Sequence, residues 1–78
     1  MDYHLDKDEA INGNEMIDAL KSHAQGHIDK HKMNVNVYLD NSVGIGEHPD
    51  VLEAIEKELA VIAQYMDELE VLNRYFPE

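Results

Sequence analysis

The chain has 78 residues, no cysteine, and seventeen acidic against six basic residues, for a formal net charge of -11. That length holds one domain at most, and it buries too little apolar surface for a robust core without a partner or a staple. The missing thiols exclude disulfides, thiolate catalysis and cysteine metal sites; the charge opposes nucleic-acid phosphate and anionic membrane surfaces and favours a basic partner.

No apolar run approaches the roughly 20 residues that a membrane span needs. The opening Met1-Asp2-Tyr3-His4 is acidic and polar, unlike a signal peptide. Residues 1–12 read as an acidic tail, with Asp2, Asp6, Asp8 and Glu9 among few apolar residues. Asn12-Gly13-Asn14 interrupts the chain, and Asn12 with Glu15 three residues on matches a capping box. A helix is therefore expected from residue 13 to about residue 41. Its apolar face would be Ile17, Leu20, Ala24, Ile28, His31, Val35 and Tyr38, widened by Leu39. Gly26 in its middle costs ~1 kcal/mol relative to Ala; a close helix crossing there is the expectation, and a helix that is weak and bends at that point the alternative. Met33, Val35, Val37 and Leu39 alternate with Asn34, Asn36 and Tyr38, which is a strand signal. A lone strand would have to pair with another copy, so helix is the expectation and strand the alternative.

Residues 42–48 form the connection. Gly44 and Gly46 permit positive φ, and Val43 and Ile45 are expected to fold back onto the end of the helices. Pro49 suits a first helical position, and Asp50 and Glu53 complement the helix dipole in the first turn. A second helix is expected over 49–75, ending at Phe76-Pro77. Along it Leu52, Ile55, Leu59, Ile62, Met66 and Leu69 step at threes and fours, the spacing of a coiled-coil seam. Val51, Tyr65 and Leu72 flank that seam and widen it into a bundle face. Glu53–Lys57 and Glu70–Arg74 stand at i, i+4 in the favourable orientation.

A short loop makes two long helices antiparallel neighbours. The fold class expected is all-α: an antiparallel two-helix hairpin, coiled-coil-like. A lone hairpin leaves apolar surface over. A homodimer closing a four-helix bundle is the expected outcome, with Leu52, Ile55, Leu59, Ile62, Tyr65, Met66, Leu69 and Leu72 at the interface.

His23, His27 and His31 repeat every fourth residue. Imidazoles one helical turn apart can chelate zinc, nickel or copper, with Asp29 or a carboxylate of the second helix as a further ligand. The HExxH pattern is absent, since Ala24 follows His23 and Ile28 follows His27. These three histidines are weak metal candidates. The simpler reading seats His31 on the helix seam, with His23 and His27 on its flank. Glu56, Glu58, Asp67, Glu68 and Glu70 have no spacing that suggests acid–base work and read as a solvated face. The glycines of residues 43–48 are followed by no Lys, Ser or Thr of a phosphate loop. No catalytic residue, metal or cofactor is expected, and the chain reads as a non-enzyme.

The stretch His31-Lys32-Met33-Asn34-Val35-Asn36-Val37-Tyr38-Leu39, then Val43-Gly44-Ile45-Gly46-Glu47-His48-Pro49-Asp50 and Ala54-Ile55-Glu56-Lys57-Glu58-Leu59, resembles a family of small uncharacterised proteins of T4-like marine phages. The resemblance covers about residues 25–76. It implies a phage-encoded product in the cytoplasm of a bacterial host, and it carries no activity.

Three functions compete. The first is a structural or protein–protein interaction module. The second is an acidic DNA mimic or inhibitor of a host nucleic-acid enzyme, which would show regularly spaced acids along a rod. The third is a histidine metal-binding helix. The expected partners are a second copy of the chain and a basic host protein, the latter met by Glu53, Glu56, Asp67, Glu68 and Glu70. Direct nucleic-acid or membrane binding is not expected.

Overall fold

A computed structural model of the chain describes residues 13–41 and 49–77. The acidic tail and the 42–48 connection, with the fold-back expected of Val43 and Ile45, lie outside the described residues. The described chain is two helices, α1 (Gly13–Asn41, 29 residues) and α2 (Pro49–Tyr75, 27 residues). Each is roughly 40 Å long at 1.5 Å per residue.

Local chemistry sets their ends. At the end of α1 the Asn41 amide Nδ2 donates to the Val37 carbonyl at 2.8 Å. That satisfies one of the carbonyls a helix terminus leaves open. Pro49 opens α2, Asp50 lies in its first turn and Arg74 in its last, each sign matched to the helix dipole. The Phe76 N–H still donates to the Leu72 carbonyl at 3.0 Å before Pro77 stops the ladder. Of the two expected i, i+4 pairs, Arg74–Glu70 closes at 2.9 Å, with both side chains well exposed. Glu53–Lys57 is not among the ion pairs of the described residues.

Residues 33–39 are helical, so the alternating pattern does not make a strand. The reason lies in Met33 and Val37. Met33 (61 % exposed) and Val37 (49 %) stand one turn apart on the outer side of α1, where i and i+4 share a face. The alternation therefore never separates a buried face from a wet one.

The helices run antiparallel. His31 meets Glu58, and His27, earlier in α1, meets Tyr65, later in α2. The core between them is thin. Ala24 and Ile28 are the buried hydrophobics among the described residues, and none of them belongs to α2.

Two sequence expectations are corrected here. First, Gly26 makes no close crossing, since a Cβ built there meets nothing within 4 Å. Second, Leu20 is 52 % exposed, whereas Lys21, His27 and Asn34 are half-buried on the two flanks of the expected line of Ile17, Ala24 and His31. Within the hairpin, α1 does not cover the Leu52–Leu69 stripe evenly. The half-buried positions of α2 include Val51, Ile55, Glu58, Ile62, Tyr65, Leu69 and Leu72, themselves a three-four seam. Ile55, Ile62 and Leu69 belong to both rows, but Leu52 (64 %), Leu59 (49 %) and Met66 (55 %) stay exposed. The expected flank is the seam inside the hairpin, and half of the expected seam faces outward.

An open Gly26 in a long helix is a stability defect with a simple remedy. Gly26→Ala should raise stability by ~1 kcal/mol through restricted backbone freedom, with no clash to offset it. Urea unfolding at fixed protein concentration reads the gain as a higher midpoint at unchanged slope. A lower midpoint would mean that Gly26 has a packing role.

Candidate functional site

Two features stand out on this scaffold: a polar and aromatic ladder in the seam, and an apolar stripe outside it.

The ladder begins with the periodicity of α1. Residues four apart share a helical face, so His23, His27 and His31 rise along one side. His31 and Asn34 point at Glu58. The His31 Nδ1–H donates to Glu58 Oε1 at 2.6 Å, and Asn34 Nδ2 donates to the same oxygen at 2.9 Å. The His31 and Glu58 side chains keep only 17 % and 19 % of their exposure. These two hydrogen bonds hold the Glu58 carboxyl below its ordinary value of 4.5, against desolvation that pushes the other way. Glu58 was expected on the solvated face and is instead in the seam. The signal was its place three residues after Ile55 and four before Ile62, opposite His31.

One turn back, the His27 ring lies parallel to Tyr65, with centroids 4.4 Å apart and planes 6° from parallel. His23 meets the edges of both, at 4.5 Å from His27 and 5.8 Å from Tyr65. His27 is thus a seam residue rather than a flanking one. Its Nδ1 is buried and has no hydrogen-bond partner. Burial lowers the His27 pKa below 6.5, helped by the nearby positive potential of His23, His31 and Lys30 and opposed by Glu68.

What this arrangement can do chemically is limited. His31 has one nitrogen committed to Glu58, and His27 is stacked on Tyr65. Among the described residues no group of three His, Asp or Glu side chains is placed to hold a metal ion. Among the described residues no hydroxyl is hydrogen-bonded to a histidine in a way that would activate it. The trio of His31, Asn34 and Glu58 suits a different task. A hydrogen-bonded polar group in an apolar seam fixes helix register, because any slip would strand its members without partners.

The remaining candidates sit on the surface. Glu53, Glu56, Asp67, Glu68 and Glu70 are all exposed. Leu52, Leu59 and Met66 stand seven residues apart in one exposed row. A separate hollow of about 320 Å³ near the open end is lined by Leu20, Asp67, Glu68, Val71 and Leu72. Neither described helix is long and apolar enough to cross a membrane.

The class defined so far is an antiparallel helical hairpin with a polar lock in its seam. No family model, curated protein or solved structure matches the chain.

The ladder predicts a specific acid response. His27 binds its proton less readily folded than unfolded, so stability is full above pH 6.5 and falls as the pH drops below it. Glu58 adds a second loss, beginning below its ordinary 4.5 and ending below its depressed folded value. Thermal melts from pH 7.5 to 3.5 should show both, and His27→Phe should remove the first. A melting temperature that is flat between pH 7 and 5 would contradict the His27 assignment.

Proposed function

We propose that the protein is a non-catalytic interaction module that works as a homodimer, two hairpins closing a four-helix bundle. The observation that carries this reading is the row Leu52, Leu59 and Met66, each about half exposed or more along one side of α2. Monomeric soluble proteins seldom leave so continuous an apolar strip in water. The strip also has coiled-coil spacing, so a helix is its natural complement. The thin intramolecular core points the same way, because two buried hydrophobics among the described residues offset little conformational entropy. Nothing among the described residues positively indicates catalysis.

The acid distribution favours this reading over a DNA mimic. The exposed acids of α2 fall into two groups, Asp50 with Glu53 and Glu56, and Asp67 with Glu68 and Glu70. Between them lie ten residues that include Ala60, Ala63 and Gln64, a gap of roughly 16 Å from Glu56 to Asp67. Phosphates recur far more closely along a nucleic-acid strand. The setting suggested by the phage resemblance of residues 25–76 is the cytoplasm of a bacterial host, where a basic host protein would be a further partner.

Sedimentation equilibrium tests the dimer. The expected mass is twice 8.9 kDa at micromolar concentration. Leu59→Lys should weaken association by about 2 kcal/mol or more, as loss of a central apolar anchor does. A wild-type chain that remains at 8.9 kDa would overturn the proposal.

A further inference from the structure

Accessible area sets the scale of what a second copy can cover. The chain exposes 6169 Å², against about 4,800 Å² for a compact monomer of 8.9 kDa. The surplus of roughly 1,400 Å² exceeds the about 800 Å² that each partner gives to an interface of standard size.

One face of the hairpin holds the hollow shared by Leu20, Glu68 and Val71. The row of Leu52, Leu59 and Met66 lies on the other side of the inner seam of α2, so it belongs to the opposite face. On that face the matching row of α1, across Ala24 and His31 from Leu20, is Asp18, Gln25 and Lys32, ending at Leu39. The two rows differ in kind. α2 presents two leucines and a methionine, and α1 a carboxylate, an amide and an ammonium group before its one leucine. The Gln25 amide already donates to Asp29 Oδ1 at 3.0 Å.

Two symmetric ways of stacking this face on its copy exist. A two-fold axis along the helices sets each α2 row on the partner's α1 row. Methyl groups then cover Asp18, Gln25 and Lys32, which lose water and meet no hydrogen-bonding group on the α2 row. A two-fold axis across the helices sets α2 antiparallel on the partner's α2, and the apolar stripe meets itself. Leu52 then falls opposite the partner's Leu69, Ile55 opposite the partner's Met66 and Leu59 opposite the partner's Ile62, each pair of residue numbers having the same sum. A two-fold interface makes every such contact twice. Because His31 and Glu58 fix equal heights in the hairpin, this axis passes α1 near Ile28 and sets Gln25 opposite the partner's Lys32, polar on polar. Asp18 alone meets an apolar residue, the partner's Leu39 at the end of the row.

We infer that the dimer, resting on the reading above that a second copy covers this row, has its two-fold axis across the helices. In it α2 lies antiparallel to the partner's α2, with Leu59 against the partner's Ile62 at the centre. Apolar burial selects this orientation, because here the apolar residues of the row cover one another.

Distances between spin labels in full-length chains test the orientation. Glu53, Ala60 and Arg74 share one exposed row of α2 away from the leucines, and the chain has no cysteine of its own. Glu53→Cys, Ala60→Cys and Arg74→Cys each place one label per chain, checked for helicity by circular dichroism and for dimer mass by sedimentation equilibrium. Pulsed electron paramagnetic resonance reads the distance between the two labels of a dimer. With the axis across the helices, the Ala60 labels stand nearly level, whereas those at Glu53 and Arg74 are offset along the helices by about 22 Å and about 40 Å. The distance should therefore rise from Ala60 to Glu53 to Arg74. With the axis along the helices, the labels stand level at every position and the three distances agree. Equal distances overturn the orientation and leave the dimer standing. A wild-type chain that sediments as a monomer overturns the dimer, and the orientation with it.

Discussion

One helix, α2, carries two overlapping seams, and it can offer only one of them to α1. The inner row contains Val51, Glu58, Tyr65 and Leu72, the outer row contains Leu52, Leu59 and Met66, and Ile55, Ile62 and Leu69 lie between and serve both. A helix apolar over so wide an arc needs two neighbours. The hairpin supplies one. This constraint accounts for the thin core, the exposed row and the shape of the proposed assembly together.

The polar contacts decide which seam α1 takes. By apolar content the outer row is the better one, since the inner row contains a glutamate. Glu58 reverses that ranking because α1 brings His31 and Asn34 to the same height, and His27 to the face of Tyr65. The stability gained from such a lock is modest, because desolvation opposes the hydrogen bonds. Its contribution is to register and to the choice of face. It also makes the hairpin sensitive to acid, since both His27 and Glu58 favour their unprotonated forms when folded.

The hairpin itself was legible in residue spacing and caps. Pro49, Asp50 and the run from Leu52 to Leu69 define α2, and Asn12, Gly13 and Glu15 announce α1. The orientation of α2 about its axis was not legible. Apolar periodicity ranks faces by hydrophobicity, and here a hydrogen-bonded trio outweighs one leucine row. His31 was placed on the seam by its spacing, but Glu58 was read as a solvent-facing acid because its partners lie 24 and 27 residues away in sequence. Leu20 was misplaced because α1 and α2 enclose only a narrow arc, centred on Ile17, Ala24 and His31, and Leu20 lies at its margin beside the open end.

The central claim is that α2 is gripped from two sides, by α1 of its own chain and by a second copy. Isotope-filtered NMR on an equal mixture of carbon-13-labelled and unlabelled chains tests it most directly. The account predicts contacts between chains at the methyl groups of Leu52, Leu59 and Met66, whereas Tyr65 and Leu72 contact only α1 of their own chain. Methyl groups of Leu59 and Met66 that show no contact between chains, in a sample concentrated well above the micromolar range, would contradict it.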